Sequence, residues 1–428
     1  MQVFKFGGAS VKDAKAIKHL ASLLHQIGCQ DTLIIVSAMG KTTNALEVVV
    51  DNYFNNKAEL TNAIQEVKKY HLDILMDLFD VHDFDRHSDQ VANHPSFKKL
   101  TVFFDELSTF LKHNTASDYN FVYDQVVGYG ELISTTIISD YLNYIGIQNK
   151  WHDVRHHIKT DYYYRNARVD WALTKSLITL NIDPTVLNIT QGFLGCDPNN
   201  FTTTLGREGS DYTAAIYGYC LNAKNVTIWK DVPGVLNADP RYFKNAQLLN
   251  KISYREAMEL AFYGASVIHP KTLQPLQKKE IPLLVKSFLN PESAGTVISK
   301  NATLDPMVPC LIVKKGLVLI SLSSLDFSHI IEDNISMIFN ILHTHKMKVS
   351  VIQNSAISFS ICVDNLYNNL DKLLQDLKIK FKVSCKKNVS LYTILHYNQD
   401  IIDQVELGKT VLLKQLTPET VQVVTHSN

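Results

Sequence analysis

Two short stretches of this chain combine glycine, hydroxyl and charge at spacings that suit an anionic ligand. The first is KFGGAS, in which Lys5 precedes Gly7, Gly8 and Ser10. Glycine lets the backbone turn sharply and approach a ligand closely, and lysine adds a mobile charge with three donors. The lysine stands before the glycines, so this is not the phosphate loop whose lysine closes a G-x-x-x-x-G-K-[ST] run. The second stretch is TTTLGREGSDYTAA, where Gly206 and Gly209 frame Arg207, and Ser210 and Asp211 open a helical pattern. A helix N-terminus offers N–H groups and the positive end of a dipole, so a phosphate docked here meets backbone donors and Arg207. Helix capping alone accounts for Ser210 or Asp211, but not for the arginine and two glycines.

These loops need elements to hold them. After the first glycines, VKDAKAIKHLASLLHQI has helical apolar spacing and TLIIVSAMG reads as a buried strand ending in a turn. A strand-helix-strand start predicts a mostly parallel sheet covered by helices, with ligands at the carboxyl ends of the strands. From about Ala45 to Lys112 the pattern is polar and helical, with His71, His82, His87, His94 and His113 at spacings that give no metal pair. Strand and helix signals resume with FVYDQVVGYGELISTTIISDYLNYIG and alternate to about Leu284. The Pro-, Gly-, Ser- and Asn-rich run through NPESAGTVI and SKNATLDPMVP marks a boundary near Thr303. Beyond it the signals run strand, helix, strand, strand, helix, strand, a ferredoxin-like order, and a tail with a short helix and two strands supplies part of a second such unit.

With 428 residues the chain has room for two or three domains, and 42 basic residues balance 42 acidic ones. No net field points to a nucleic acid or a membrane surface. Six cysteines without a C-x-x-C pair fit reduced thiols in the cytoplasm. No leader is visible and no apolar run approaches the ~18 residues of a membrane helix, so a cytoplasmic protein acting on small molecules is expected.

Taken in order, KFGGAS, VSAMGKTTNAL, GYGE, TTLGREGSD, KDVPGVLNADPR and NPESAGTVI resemble the aspartate kinases over nearly the whole chain. The resemblance implies an amino-acid-kinase fold over 1–303, an open α/β sheet sandwiched by helices, followed by a regulatory α+β ACT region over 304–428. It implies transfer of the ATP γ-phosphoryl group, with Mg²⁺, to the side-chain carboxylate of L-aspartate. By the same resemblance Lys5 and Asp211 serve the transfer, while Ser37, Thr43 and Glu131 hold aspartate. Gly7, Gly8, Ser10, Gly206, Arg207, Gly209, Ser210, Asp231 and Arg241 fall on the nucleotide side, and no residue is assigned to a metal. An amino-acid effector at the ACT region and a homodimer follow by analogy.

The chain departs from the family pattern at several positions. Ala9 stands where Thr is usual, Glu208 replaces a glycine, and Phe201 occupies a position that carries a substrate-contacting Arg in some members. Lys230 and Ser266 stand where Thr and Lys are common, so Lys230 is expected to supply the nucleotide charge that Ser266 lacks. Asp333 replaces a glycine at the effector edge. A kinase for glutamate or acetylglutamate on the same fold, and a catalytically weakened amino-acid sensor, are the competing expectations.

Overall fold

The computed structural model describes residues 1–81, 94–265, 268–326 and 328–427. They divide into two compact units, Met1–Val235 with Leu248–Met258 and Val267–Asp305, and Leu236–Gln247 with Glu259–Ser266 and Pro306–Asn428.

In the first unit the apolar runs β1 (Gln2–Phe6) and β2 (Thr32–Val36) pair in parallel around the helix Ala14–Ile27. Asp13 caps that helix by accepting the Ala16 N–H at 2.8 Å, and Gly28 ends it at φ +76°. The sheet continues through β3 (Lys150–His152), β4 (Asn188–Gln191), β7 (Val226–Lys230), β8 (Lys251–Ser253), β9 (Leu283–Ser287) and β10 (Thr296–Ser299), in the order β3-β4-β2-β1-β7-β9-β10-β8. Among the described residues only the β9–β10 pair within it is antiparallel. A hairpin of β5 (Leu194–Cys196) and β6 (Thr202–Thr204) stands apart from this sheet.

Pleating sends alternate β1 side chains to opposite faces. Phe4 and Phe6 enter a core shared with Ile17, Leu24, Val126 and Ile133, which leaves Val3 and Lys5 on the other face. The stretch FVYDQVVGYGELISTTIISDYLNY lies within one helix, Tyr119–Tyr144. Its interior glycines permit close packing: a Cβ on Gly130 would lie 3.0 Å from the Ala38 Cβ and 3.3 Å from Leu46. Among the described histidines, His71 is buried against Val67 and His94 caps the helix Pro95–His113, while His82 and His87 lie outside the described residues.

The second unit is built on an antiparallel sheet of β11 (Cys310–Ser324), β12 (Lys348–Asn354), β13 (Ser358–Asp364), β14 (Phe381–Leu395), β15 (Lys409–Leu416) and β16 (Thr420–Ser427), ordered β12-β13-β11-β14-β16-β15. Helices Glu332–Thr344 and Leu370–Lys378 complete the β-α-β-β-α-β order and pack on Val318, Ile320, Leu322 and Ile361. The helix Gln399–Glu406 covers a separate cluster of Leu311, Ile394, Val421 and Val423. The segment 236–247 joins this unit because the Leu311 N–H donates to the Asn237 carbonyl at 2.7 Å and Ala238 enters that cluster. Among the described residues no helix is long and apolar enough to cross a membrane.

Candidate active site

Parallel pairing of β4, β2, β1 and β7 brings their carboxyl ends to one edge of the sheet. Lys5 lies near the end of β1, Ser37 follows β2, Gly192 follows β4, and Lys230 closes β7. A cavity of about 490 Å³ opens there.

The loop after β2 and the loop after β1 touch. Gly40 N–H donates to the Gly8 carbonyl at 3.0 Å, and a Cβ on Gly8 would stand 2.7 Å from the Ala38 carbonyl oxygen. Any side chain at position 8 would therefore push the two loops apart. Gly7 leaves room beside the Lys5 ammonium, since its absent Cβ would lie 3.4 Å from Nζ. The buried Ser10 donates its N–H to the Gly7 carbonyl at 2.9 Å, which tightens the turn.

Lys5 faces the helix Gly209–Leu221, whose first turn carries Asp211. The two form an ion pair at 2.6 Å, and Lys230 reaches the other carboxylate oxygen at 3.2 Å. Burial alone would push the Asp211 carboxyl up, but Lys5 and Lys230 outweigh it and hold the group below the ordinary carboxylate value. The cluster thus puts two cations and one buried anion at the helix N-terminus, where the dipole also favours a bound anion. Gly206 turns the preceding loop at φ +81°, and Gly209 is tight against Phe193, whose Cδ2 would lie 2.6 Å from an added Cβ. Glu208 sits between them in the left-handed region at φ +53°. Burial raises its carboxyl and Lys230 counteracts that rise, so its charge is directed to the cationic cluster as well as to its sequence neighbour Arg207.

Glu131 lies elsewhere along the same cavity, on the helix Tyr119–Tyr144. It is 3 % exposed, accepts the Ala38 N–H through Oε1 at 3.4 Å, and has no hydrogen-bond partner on Oε2. Burial pushes its carboxyl up to about 8. An orphaned, buried carboxyl of this kind is costly unless a ligand completes it. Ser37 and Thr43 line the cavity beside it, and Ser134 fixes the Ser37 carbonyl with a hydroxyl donor at 2.8 Å.

Of the residues expected from the sequence, Lys5, Gly8, Ser37, Thr43, Glu131, Gly206, Arg207, Gly209, Ser210, Asp211 and Lys230 line one cavity. Gly7 and Ser10 are not in the lining but close the turn after Lys5. Asp231 is exposed and outside the lining. Arg241 belongs to the second unit, exposed, with its guanidinium forked on Asp239 at 2.6 and 3.0 Å. Ser266 lies outside the described residues, and Lys230 is engaged with Asp211. The lining also contains Tyr123, Arg165, Phe193 and Thr204, which the motifs did not single out.

The amino acid kinase family pattern matches residues 1–287. The lysine-sensitive aspartokinase 3 of Escherichia coli is 29 % identical over 420 residues, covering 96 % of this chain and 89 % of that protein. The structure of Escherichia coli aspartokinase III in complex with lysine and aspartate superposes with a TM-score of 0.80 at 27 % identity, over 99 % of this chain and 95 % of that one. The same enzyme in complex with aspartate and ADP gives a TM-score of 0.80 at 26 % identity, over 99 % and 96 %.

Proposed function

Because this chain belongs to the amino acid kinase family, we propose that it is an aspartate kinase, transferring the γ-phosphoryl group of ATP to the side-chain carboxylate of L-aspartate. The observation that carries the reading is a single cavity with the Lys5–Asp211–Lys230 cluster and the orphaned Glu131 carboxyl in its lining. The first suits phosphates and the second suits an ammonium group. The Escherichia coli relative crystallised with aspartate and ADP supports that pairing of ligands.

In this reading a side-chain carboxylate oxygen of aspartate attacks the γ-phosphorus, the bond to the bridging oxygen breaks, and ADP leaves with that electron pair. An aspartate side chain in water titrates near pH ~3.9 and is ionised at neutral pH, so the nucleophile needs no general base. The obstacle is repulsion between an anionic acceptor and a polyanionic donor. Catalysis then rests on in-line positioning and charge neutralisation. Mg²⁺ arrives as part of the nucleotide substrate. Lys5 and Lys230 supply fixed positive charge, Asp211 holds both in place, and Gly7, Gly8, Ser10, Gly206, Arg207, Gly209 and Ser210 shape the phosphate loops. Asp231 and Arg241 are assigned to the nucleotide on the strength of the motif alone. Glu131 takes the substrate ammonium, and the Ser37 and Thr43 hydroxyls offer the substrate neutral donors.

Residues 304–428 are read as the regulatory region, and lysine bound to the Escherichia coli relative makes it the first effector to try. A homodimer formed by sheet extension fits the antiparallel edges at β12 and β15. The six free cysteines suit a cytoplasmic setting.

The test is turnover of Mg²⁺·ATP with aspartate, glutamate, acetylglutamate or no acceptor, with the acyl phosphate trapped as its hydroxamate. Hydroxamate from aspartate alone is expected. Turnover with another acceptor instead would reassign the substrate, and none with any acceptor would favour the sensor. Titrating lysine, threonine and methionine into the same assay is expected to show inhibition by lysine. No response to any of the three would count against a working effector pocket, consistent with Asp333 having closed it.

A further inference from the structure

Arg165 has the left-handed backbone conformation, φ +65°, which glycine enters freely and a side chain enters at a cost. Its conformation is held by Asp124, a wholly buried carboxylate on the helix Tyr119–Tyr144. Asp124 accepts the Arg165 N–H at 2.9 Å through the same oxygen that takes the Thr204 N–H at 2.8 Å, and its other oxygen takes the Thr204 hydroxyl at 2.8 Å. One buried anion thus ties the Arg165 loop, β6 and the helix together. Strain persists where surrounding structure over-determines it, and such places cluster at binding sites.

The side chain so placed enters the cavity lining. Its guanidinium lies 4.2 Å from the centre of the Tyr123 ring, and Nη2 is 3.6 Å from the Glu47 carboxylate. Glu47 is one turn beyond Thr43 on the helix Thr42–Asn55, so the two share a face. Tyr123 is on the helix that carries Glu131. Arg165 therefore contacts the two helices that supply Thr43 and Glu131.

An amino acid bound at Glu131 through its ammonium brings an α-carboxylate with it. Ser37 and Thr43 offer no charge to that carboxylate, and Glu131 and Glu47 repel it. Lys5 and Lys230 are committed to Asp211. Phe201 is apolar and packs edge-on against Phe121 at 5.0 Å. Arginine presents a planar fork that matches a carboxylate with two parallel hydrogen bonds. Its present pair with Glu47 is long and 42 % exposed on both sides, the kind of contact that contributes little and is easily exchanged.

We propose that Arg165 is the specificity-determining residue that reads the α-carboxylate of the amino-acid substrate, leaving Glu47 to grip both of its oxygens. The inference rests on the aspartate kinase reading and names the group that completes its acceptor site. The Tyr123 ring lies under the guanidinium, and Asp124 sets the loop from which it reaches.

The test compares the wild type with Arg165→Ala and Arg165→Lys, using aspartate and its 1-amide, in which the α-carboxylate is replaced by a neutral carboxamide. Arg165→Ala is expected to raise the KM for aspartate by roughly 10- to 100-fold, the span of one charge-assisted hydrogen-bonded pair. The KM for ATP should stay the same and kcat should change by no more than severalfold. Arg165→Lys should recover part of the loss. The KM for the 1-amide should be the same in all three proteins, because the interaction is already missing. An unchanged aspartate KM in Arg165→Ala, or an equal rise for aspartate and the amide, would overturn the assignment, the second by showing a merely structural role. A wild type that does not phosphorylate aspartate at all would overturn the kinase reading first, and this inference with it.

Discussion

Replacing Lys5 by alanine is expected to lower kcat by roughly 10²- to 10³-fold while the KM for aspartate moves by no more than about threefold. Its ammonium lies in the wall of the cavity, largely buried and held 2.6 Å from Asp211. A fixed cation in a site of this kind acts most strongly where negative charge accumulates, on the oxygens of the transferring group. The effect should therefore appear in the chemical step and not in acceptor binding. Lys5→Ala also leaves the buried Asp211 carboxylate with Lys230 as its one cation, so the stability cost stays below the about 3–5 kcal/mol of a buried charge left with no partner. A second protein, Lys5→Arg, keeps a second cation beside Asp211 and should recover thermal stability while kcat stays below that of the wild type. Stopped-time assays and melting curves on both proteins decide the matter. Near-normal turnover in Lys5→Ala would remove this residue from catalysis.

The second large effect is at Glu131. Its carboxyl is pushed up to about 8 by burial, so at pH 7 the empty site holds it protonated. The substrate ammonium requires the ionised form, and binding must release that proton. The KM for aspartate should accordingly fall by nearly tenfold per pH unit between about 6 and 8 and level off above that. Glu131→Gln should raise the KM at pH 8 by roughly 10- to 100-fold, the worth of a charge-assisted hydrogen bond, and should abolish the pH dependence. Stability runs the other way. A carboxyl whose folded pKa lies above its ordinary 4.5 binds more protons folded than unfolded, so its presence destabilises the empty protein progressively as pH rises from about 4.5 to 8. Without substrate, Glu131→Gln should melt higher than the wild type at pH 8 and nearly level with it at pH 4.5. A pH-independent KM in the wild type would show that Glu131 does not hold the ammonium.

The parts of the site legible in the sequence were those where chemistry and backbone shape coincide. KFGGAS and TTLGREGSD announce themselves because glycine is needed where loops touch, as at Gly8 and Gly209, and because Lys5 and Asp211 sit beside those glycines. The second unit was equally readable, its alternating strands and two amphipathic helices giving the β-α-β-β-α-β order directly. Arg165 left no such mark. It stands in a Tyr-rich loop without a motif, and its place depends on Asp124, 41 residues earlier, whose burial no local pattern reveals. The glycines of GYGE were visible but not their role. The structure places them inside the helix Tyr119–Tyr144, where Gly130 lets Ala38 pack close. Nor did any composition change mark 236–247 as part of the second unit, since its attachment there rests on bonds from Asn237 to Leu311 and Pro309 and on Ala238, Phe243 and Ala246 packing with Leu311.

The two long strands at the centre of the second unit impose a condition on its inheritance. β11 and β14 pair from Cys310–Leu395 to Ser324–Phe381, with register shifts between Lys314 and Leu319. β13 adds to the far half of β11, residues 318–323, while β16 adds to the far half of β14, residues 390–395. Each ferredoxin-like half therefore borrows its middle from a strand that begins or ends in the other. Neither half can be deleted, duplicated or exchanged between genes as an independent module, because a cut at either side strips the survivor of a central strand and exposes an unpaired edge along its length. Recombination that respects this unit must keep residues 310–427 together with the segment 236–247 that packs on them.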